Sequence, residues 1–184
     1  MQTTNATPQV FLNGRIISAN NFVADELYIK YELIYGTNFK VIEGQTIGET
    51  FQVISHMDQP KIYFDHPFSV NFSSRSIKGW PKFLIEVWAN DYHNRNFLIG
   101  YGTCFVPFKS GNSIINIKCW RPREKIGTTL SEYFLGNTPE FIDRSAVYSN
   151  EEKFGVFGLS TGSVTIDLDL IMKDFNLHGI KSVN

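Results

Sequence analysis

The stretch "GWPKFLIEVWANDYHNRNFLIGYG", residues 79–102, predicts a buried strand, a polar loop and a second strand. Phe83, Ile85 and Val87 recur at every second position, so they share one face of the first strand. The loop between the strands contains Asp91 but little else that binds a metal ion. The stretch therefore raises a functional question: this is either the metal-binding loop of a signalling module or a loop of that form whose metal site has gone.

The composition places the chain among ordinary globular proteins. Of its 184 residues, 42% are hydrophobic and 19% are charged, which provides enough apolar surface for a packed core. Aromatic residues make up 15%, and because aromatic side chains suit half-buried sheet surfaces, this favours β-structure. Lysine and arginine total 17 against 18 for aspartate and glutamate, so the chain lacks the basic excess of a nucleic-acid-binding protein.

The alternation of the opening stretch recurs along the rest of the chain. It is clearest in "SVTIDLDLIMK", residues 163–173, where apolar residues from Val164 to Met172 point one way and Asp167 and Asp169 point the other. Further strands are predicted near residues 9–17, 27–33, 49–55, 68–73, 98–107 and 112–118. Together these segments predict an all-β fold, an antiparallel β-sandwich of about eight strands.

One helix is predicted, in an insertion at residues 120–160 before the last strand. In "TTLSEYFLG" (128–136), Thr129 and Glu132 form a capping box and Gly136 suits the position after the helix. The predicted organisation has three parts: a flexible N-terminus at 1–8, a single domain at 9–175 and a C-terminal tail at 176–184.

The sequence predicts neither export nor membrane insertion. The N-terminus is polar, and no run approaches the roughly 20 apolar residues of a membrane-spanning helix. Cys104 and Cys119 are too few for a disulfide framework, so both are expected to be reduced thiols in the cytosol.

One motif suggests catalysis. "GLSTG" (158–162) has the G-x-S-x-G pattern of a nucleophile elbow around Ser160, which requires a strand before the serine and a helix after it. A long alternating strand follows instead, so we interpret the motif as a glycine-rich turn. The four histidines have no metal-binding spacing. We therefore predict that the chain is not an enzyme.

A basic segment is the strongest candidate for a binding surface. "KCWRPREK" (118–125) combines one aromatic residue, four cations and one carboxylate: Trp120, Lys118, Arg121, Arg123, Lys125 and Glu124. Such a segment can meet anionic lipid headgroups, or it can contact a protein partner, because Trp and Arg are common interface anchors. The simpler alternative is that Trp120 packs inward and the charges are solvated.

The opening stretch resembles the C2 domain, a calcium-dependent, lipid-binding β-sandwich. In that family a strand ending in Val-Trp, as at Trp88, runs into a loop with three aspartates and then a hydrophobic-Gly ending, as at Gly100. Asp91 matches the second aspartate, but Ala89 and Phe97 stand at the first and third positions. Calcium needs six to eight oxygen ligands, so this resemblance implies a C2-like loop without calcium binding.

A narrower resemblance covers nearly the whole chain and is to the B9 domain family, a divergent C2-like group found in ciliary proteins. Its most specific part is Gly79-Trp80-Pro81, followed by a strand and then by Gly-Tyr-Gly from Gly100. The remaining matching stretches are "VFLNGRIISANNF" (10–22), "HPFSVNF" (66–72), "WRP" (120–122), "FLG" (134–136) and "GSVTIDLDLIMKDF" (162–175).

The B9 resemblance implies a non-enzymatic scaffold subunit of the tectonic-like complex at the ciliary transition zone, needed for cilium assembly and gating. It implies other B9 domain proteins as partners, with no calcium or other cofactor, small-molecule substrate or nucleic acid. The implied location is the cytoplasm and cytoskeleton at the transition zone and basal body. The alternative function is a calcium-independent peripheral membrane module that binds anionic phospholipid through the Trp120 segment and the loop at 89–97.

Overall fold

The computed structural model of the chain describes residues 7–24, 26–54, 60–90, 95–122 and 158–175. Within these ranges the chain forms ten strands: β1 (Gln9–Asn20), β2 (Glu26–Ile34), β3 (Phe39–Gly44), β4 (Ile47–Glu49), β5 (Val53–Ile54), β6 (Lys61–Ser74), β7 (Lys82–Asn90), β8 (Asn96–Phe105), β9 (Gly111–Pro122) and β10 (Gly158–Lys173). The prediction of an all-β fold is confirmed.

All strand pairs are antiparallel, and the order across the sheet is β3-β6-β1-β10-β9-β8-β7-β2-β4, with β5 also paired to β2. The sheet curls over so that distant strands face each other. Tyr31 of β2 and Phe83 of β7 both contact Phe68 of β6, at ring-centroid distances of 5.7 and 5.4 Å. The core therefore lies between two halves of one sheet.

Alternating apolar residues build this core. Every second residue of β2 is buried, from Leu27 to Leu33, and the predicted apolar face of β10 is buried from Val164 to Leu170. In β1 the register shifts between Ile16 and Ser18 in its pairing with both neighbours. Such a bulge changes which positions face inward, so that Ser18 and Ala19 are both buried.

The structure corrects the strand assignment in one region. The strand predicted at 49–55 is instead two short strands, β4 and β5, and β3 was not predicted. Between β4 and β5, Thr50 is still hydrogen-bonded to Ile29 of β2. β3 and β4 are the edges of the sheet, and most of their residues are exposed or only partly buried, so the alternation that marks a two-sided strand is missing.

The helix predicted at 128–136 lies outside the described residues. Among the residues that the structure describes, there is no helix long and apolar enough to cross a membrane.

Candidate partner-binding surface

A second apolar cluster lies on the outer face of the sheet, away from the core. Leu84, Leu98 and Tyr101 are buried there, and Ile34, Trp88 and Trp120 pack against them while partly buried. We call these six residues the outer-face cluster. A sheet face of this kind normally carries polar side chains, but here the first three residues are only 1–3% exposed and the other three are partly buried. Only the partly buried members, Trp120 among them, leave apolar surface that a partner can reach.

Trp88 is held rigidly within this cluster. Its indole stacks on Tyr28 with ring centroids 6.3 Å apart, and its Nε1–H donates to Glu86 Oε2 at 3.1 Å. The Lys30 ammonium lies 4.9 Å from the Trp88 ring centroid, within cation–π range. Trp88, the tryptophan of the Val-Trp pair in β7, therefore lies on the outer face. Glu86, a buried carboxylate that sequence analysis did not single out, orients it.

The predicted basic segment is divided between two faces. Because β9 continues to Pro122, successive side chains alternate, which places exposed Lys118 and Trp120 on the outer side and Arg121 on the other. Trp120 packs on Tyr101, with ring centroids 6.4 Å apart. Lys118, Trp120 and Arg121 therefore do not form one continuous patch, as the sequence had suggested. Arg123 and Lys125 lie outside the described residues.

Arg121 lines a groove of about 410 Å³ at the end of the sandwich. Its other lining residues come from the segment after β1, from β8 and from the start of β10: Phe22, Val23, Phe97, Ile99, Leu159, Ser160 and Thr161. Val23 is 98% exposed. This groove could not be predicted from the sequence, because its lining residues come from four separate segments that only the fold brings together.

The Gly-Trp-Pro motif lies at the opposite end of the sandwich. The Trp80 indole N–H donates to the Val106 carbonyl oxygen at 2.8 Å, and the ring makes edge contacts with Phe39, Phe108 and Phe175. The Val106 N–H in turn donates to the Pro81 carbonyl oxygen at 3.1 Å. Trp80 therefore packs against β3, the segment after β8 and the segment after β10.

The positions that correspond to calcium-binding aspartates face the interior. Ala89 is fully buried and pairs with Phe97 across β7 and β8, and Phe97 packs against the main core. Asp91 lies outside the described residues. Within the parts of the chain that the structure covers, no three His, Cys, Asp or Glu side chains are grouped to hold a metal ion.

The structure also changes the interpretation of "GLSTG". This segment is the first part of β10, where Ser160 pairs with Trp120, rather than a turn. The register shifts between Ser160 and Gly162, which indicates a bulge. Ser160 is followed by a strand and not by the helix that a nucleophile elbow requires.

Both cysteines are free thiols. Burial raises the pKa of Cys119 to about 12, and a backbone hydrogen bond at Val164 has a smaller effect that lowers the pKa. Burial also raises the pKa of the half-buried Cys104. A raised pKa lowers the thiolate fraction at neutral pH, so neither cysteine has the character of a nucleophile.

Comparison with known proteins gives consistent matches along the chain. Residues 10–171 match the B9-C2 family model, described as ciliary basal body-associated, B9 protein. B9 domain-containing protein 2 of Bos taurus is 29% identical over 177 residues, covering 94% of this chain and 98% of that protein. The Homo sapiens protein of the same name is 28% identical over 177 residues, with the same coverage.

A relative with a different name also matches. B9 domain-containing protein 1 of Xenopus laevis is 29% identical over 178 residues, covering 94% of this chain and 89% of that protein. Among solved structures, a C2 domain of plant Extended Synaptotagmin 1 aligns with a TM-score of 0.47 at 10% identity, covering 89% of this chain and 93% of that chain.

Proposed function

This chain belongs to the B9 family of ciliary basal body-associated proteins, and from that membership we propose that it is a non-enzymatic scaffold subunit of a heteromeric complex at the ciliary transition zone. Its partners in this proposal are other B9 domain proteins, and the complex supports cilium assembly and gating at the ciliary base. The observation that carries the proposal is the extent of the family match, which runs from β1 into β10 and so includes the whole sandwich.

The outer-face cluster supports a binding role. It brings two half-buried tryptophans, Trp88 and Trp120, together with exposed Lys118 on one face. Tryptophan is enriched at interface hot spots because one side chain covers a large area at a small cost in conformational entropy. In the proposed complex, a partner contacts the exposed part of Trp120 and its neighbours.

Co-purification from ciliated cells tests the proposal. The tagged chain is expected to recover other B9 domain proteins and to localise at the ciliary base. Trp120→Ala is expected to weaken recovery, whereas Ile114→Ala, which truncates an exposed apolar residue elsewhere on β9, is the matched control. A folded wild-type protein that recovers no B9 protein contradicts the proposed function. A folded Trp120→Ala variant that recovers them fully removes only this surface.

A second candidate function, a calcium-independent module that binds anionic phospholipid, is favoured by the groove around Arg121. There a cation lies beside the exposed side chains of Val23 and Leu159, the combination that an anionic, partly apolar bilayer interface attracts. Flotation with phosphatidylserine vesicles in the presence of a calcium chelator tests it. Binding should be lost with Val23→Asp and with Arg121→Glu, and vesicles of phosphatidylcholine alone should not bind.

A further inference from the structure

One end of the sandwich has a concentrated positive charge. β2, β6, β8 and β10 end there, and β1, β3, β7 and β9 begin there. We call this end, made of residues 34–40, 74–82, 105–111 and 172–175, the basic pole. It contains six cations and one carboxylate: Lys40, Arg75, Lys78, Lys82, Lys109, Lys173 and Asp174. Because the whole chain has a net charge of −1, this local excess is a property of the surface and not of the composition.

An apolar groove lies within the basic pole. It has a volume of about 460 Å³ and is lined by Ile77, Trp80, Phe105, Val106, Pro107 and Phe108. Phe105 is 66% exposed and Ile77 is 48% exposed. The indole N–H of Trp80 already donates to the Val106 carbonyl, so the ring presents apolar surface to the groove. Large apolar residues are thus exposed together, which is uncommon on a surface without a partner.

The charges lie close to the groove. Lys82 pairs with Phe105 across β7 and β8, and its Nζ is 5.7 Å from the Phe105 ring centroid. Lys78 follows Ile77 in the chain, Lys109 follows Phe108, and both lysines are exposed. Three lysines are thus next to groove-lining residues, Lys82 in space and Lys78 and Lys109 along the chain.

We propose that the basic pole docks an acidic segment of another protein, with an aromatic or branched aliphatic side chain of that segment in the groove. Charge complementarity favours an acidic occupant, since each carboxylate placed near the pole gains attraction and speeds association. A second copy of this chain is disfavoured, because a two-fold contact through the pole would oppose two sets of six cations. An anionic bilayer would satisfy the same charges and would also cover exposed Phe105 and Ile77, so it is the competing occupant that the vesicle experiment below separates from an acidic protein segment.

This docking surface is separate from the one in the proposed function. β9 begins at the basic pole with Gly111 and carries Trp120 near its other end. The strand rises about 3.3 Å per residue, so the two surfaces lie roughly 30 Å apart along it. The two can be occupied at once by different partners.

Selection from a phage-displayed library of random peptides tests the proposal. The full-length chain is immobilised, and phage that also bind the Phe105→Asp variant are removed. Enriched peptides are expected to place Asp and Glu around one Phe, Trp, Leu or Ile. No enrichment over an unrelated protein, or enrichment of basic peptides, overturns the proposal.

Fluorescence anisotropy with a labelled peptide from this selection provides the second measurement. Phe105→Asp and Lys78→Glu are each expected to weaken its binding by about tenfold or more, since each removes an anchor contact or reverses a complementary charge. Ile114→Asp, at a side chain 71% exposed on β9, and Lys118→Glu are the matched controls, expected to change binding by about twofold or less. Lys78→Glu lies in an exposed loop, so it remains informative if Phe105→Asp does not fold.

Equal weakening by the control variants overturns the docking surface. A different outcome is that no peptide is selected and that phosphatidylserine vesicles bind in a way that depends on Phe105. This would overturn the proposal of an acidic protein segment and would assign the pole to a membrane. The third expected result is that the affinity for the peptide falls as sodium chloride is added, because salt screens exposed charge pairs.

Discussion

Gly36 and Gly79 lie against each other at the basic pole, with the Gly36 N–H donating to the Gly79 carbonyl oxygen at 2.8 Å. A Cβ added to Gly79 would lie 2.6 Å from the Gly36 Cα, closer than real contacts allow. Gly79 also has a φ of +84°, a left-handed conformation that favours glycine. This contact fixes the turn before Trp80 against the end of β2, and so positions the tryptophan.

Gly79→Ala is expected to lower the free energy of unfolding by about 2 kcal/mol or more, because the left-handed conformation costs an alanine roughly 1–2 kcal/mol and the clash with the Gly36 backbone adds to it. Gly111→Ala is the matched control, since Gly111 has a φ of +103° but no atom within 4 Å of an added Cβ. Urea denaturation measures both variants. Equal losses would show that the close approach of the two glycines contributes nothing.

Trp80→Ala is expected to lower the free energy of unfolding by about 3–5 kcal/mol, a value typical of truncated core aromatics. The reason is that Trp80 packs on three phenylalanines from separate segments. Trp80→Phe keeps much of the packing but loses the hydrogen bond to Val106, so it should be less damaging. Thermal unfolding gives the comparison. A Trp80→Ala variant that melts like the parent would mean that the residue serves a partner and not the fold.

Calcium at millimolar concentration is expected to leave the melting temperature unchanged. Ala89 and Phe97 occupy two positions that are acidic in calcium-binding C2 loops, and both pack inward. A ligand bound only by the folded state would add about 2.7 kcal/mol at 100 times its Kd, which melting curves detect readily. A clear calcium-dependent rise that Asp91→Asn abolishes would contradict this prediction.

Alkaline pH is expected to destabilise the protein through Cys119. Burial raises the pKa of this thiol from its ordinary value of 9.0 to about 12. Above pH 9 the unfolded chain releases the proton while the folded chain keeps it, so stability falls as the pH rises through this window, by up to about 1.4 kcal/mol per pH unit. Cys119→Ala should remove this part of the slope when unfolding is measured in urea between about pH 8 and pH 10.5. Identical slopes for the two proteins would contradict it.

The central strands of the sheet could be predicted from the sequence alone. β2, β7 and β10 have neighbours on both sides and one face toward the core, so burial imposes an apolar residue at every second position. That alternation is a local property, and a short window of sequence contains it. The Gly-Trp-Pro motif and the family match also depend only on the order of residues in the chain.

Tertiary structure decided the rest, because the remaining features depend on pairing and on proximity. β3 and β4 exist because the edges of the sheet pair with β6 and β2, and being largely unburied they leave no alternation in the sequence. Trp120 and Arg121 face opposite ways because β10 pairs with β9 as far as Pro122, which extends the strand through a segment predicted to follow it. The basic pole gathers charges from four segments far apart in the chain, and only the curl of the sheet brings them to one end, so no window of sequence contains that surface.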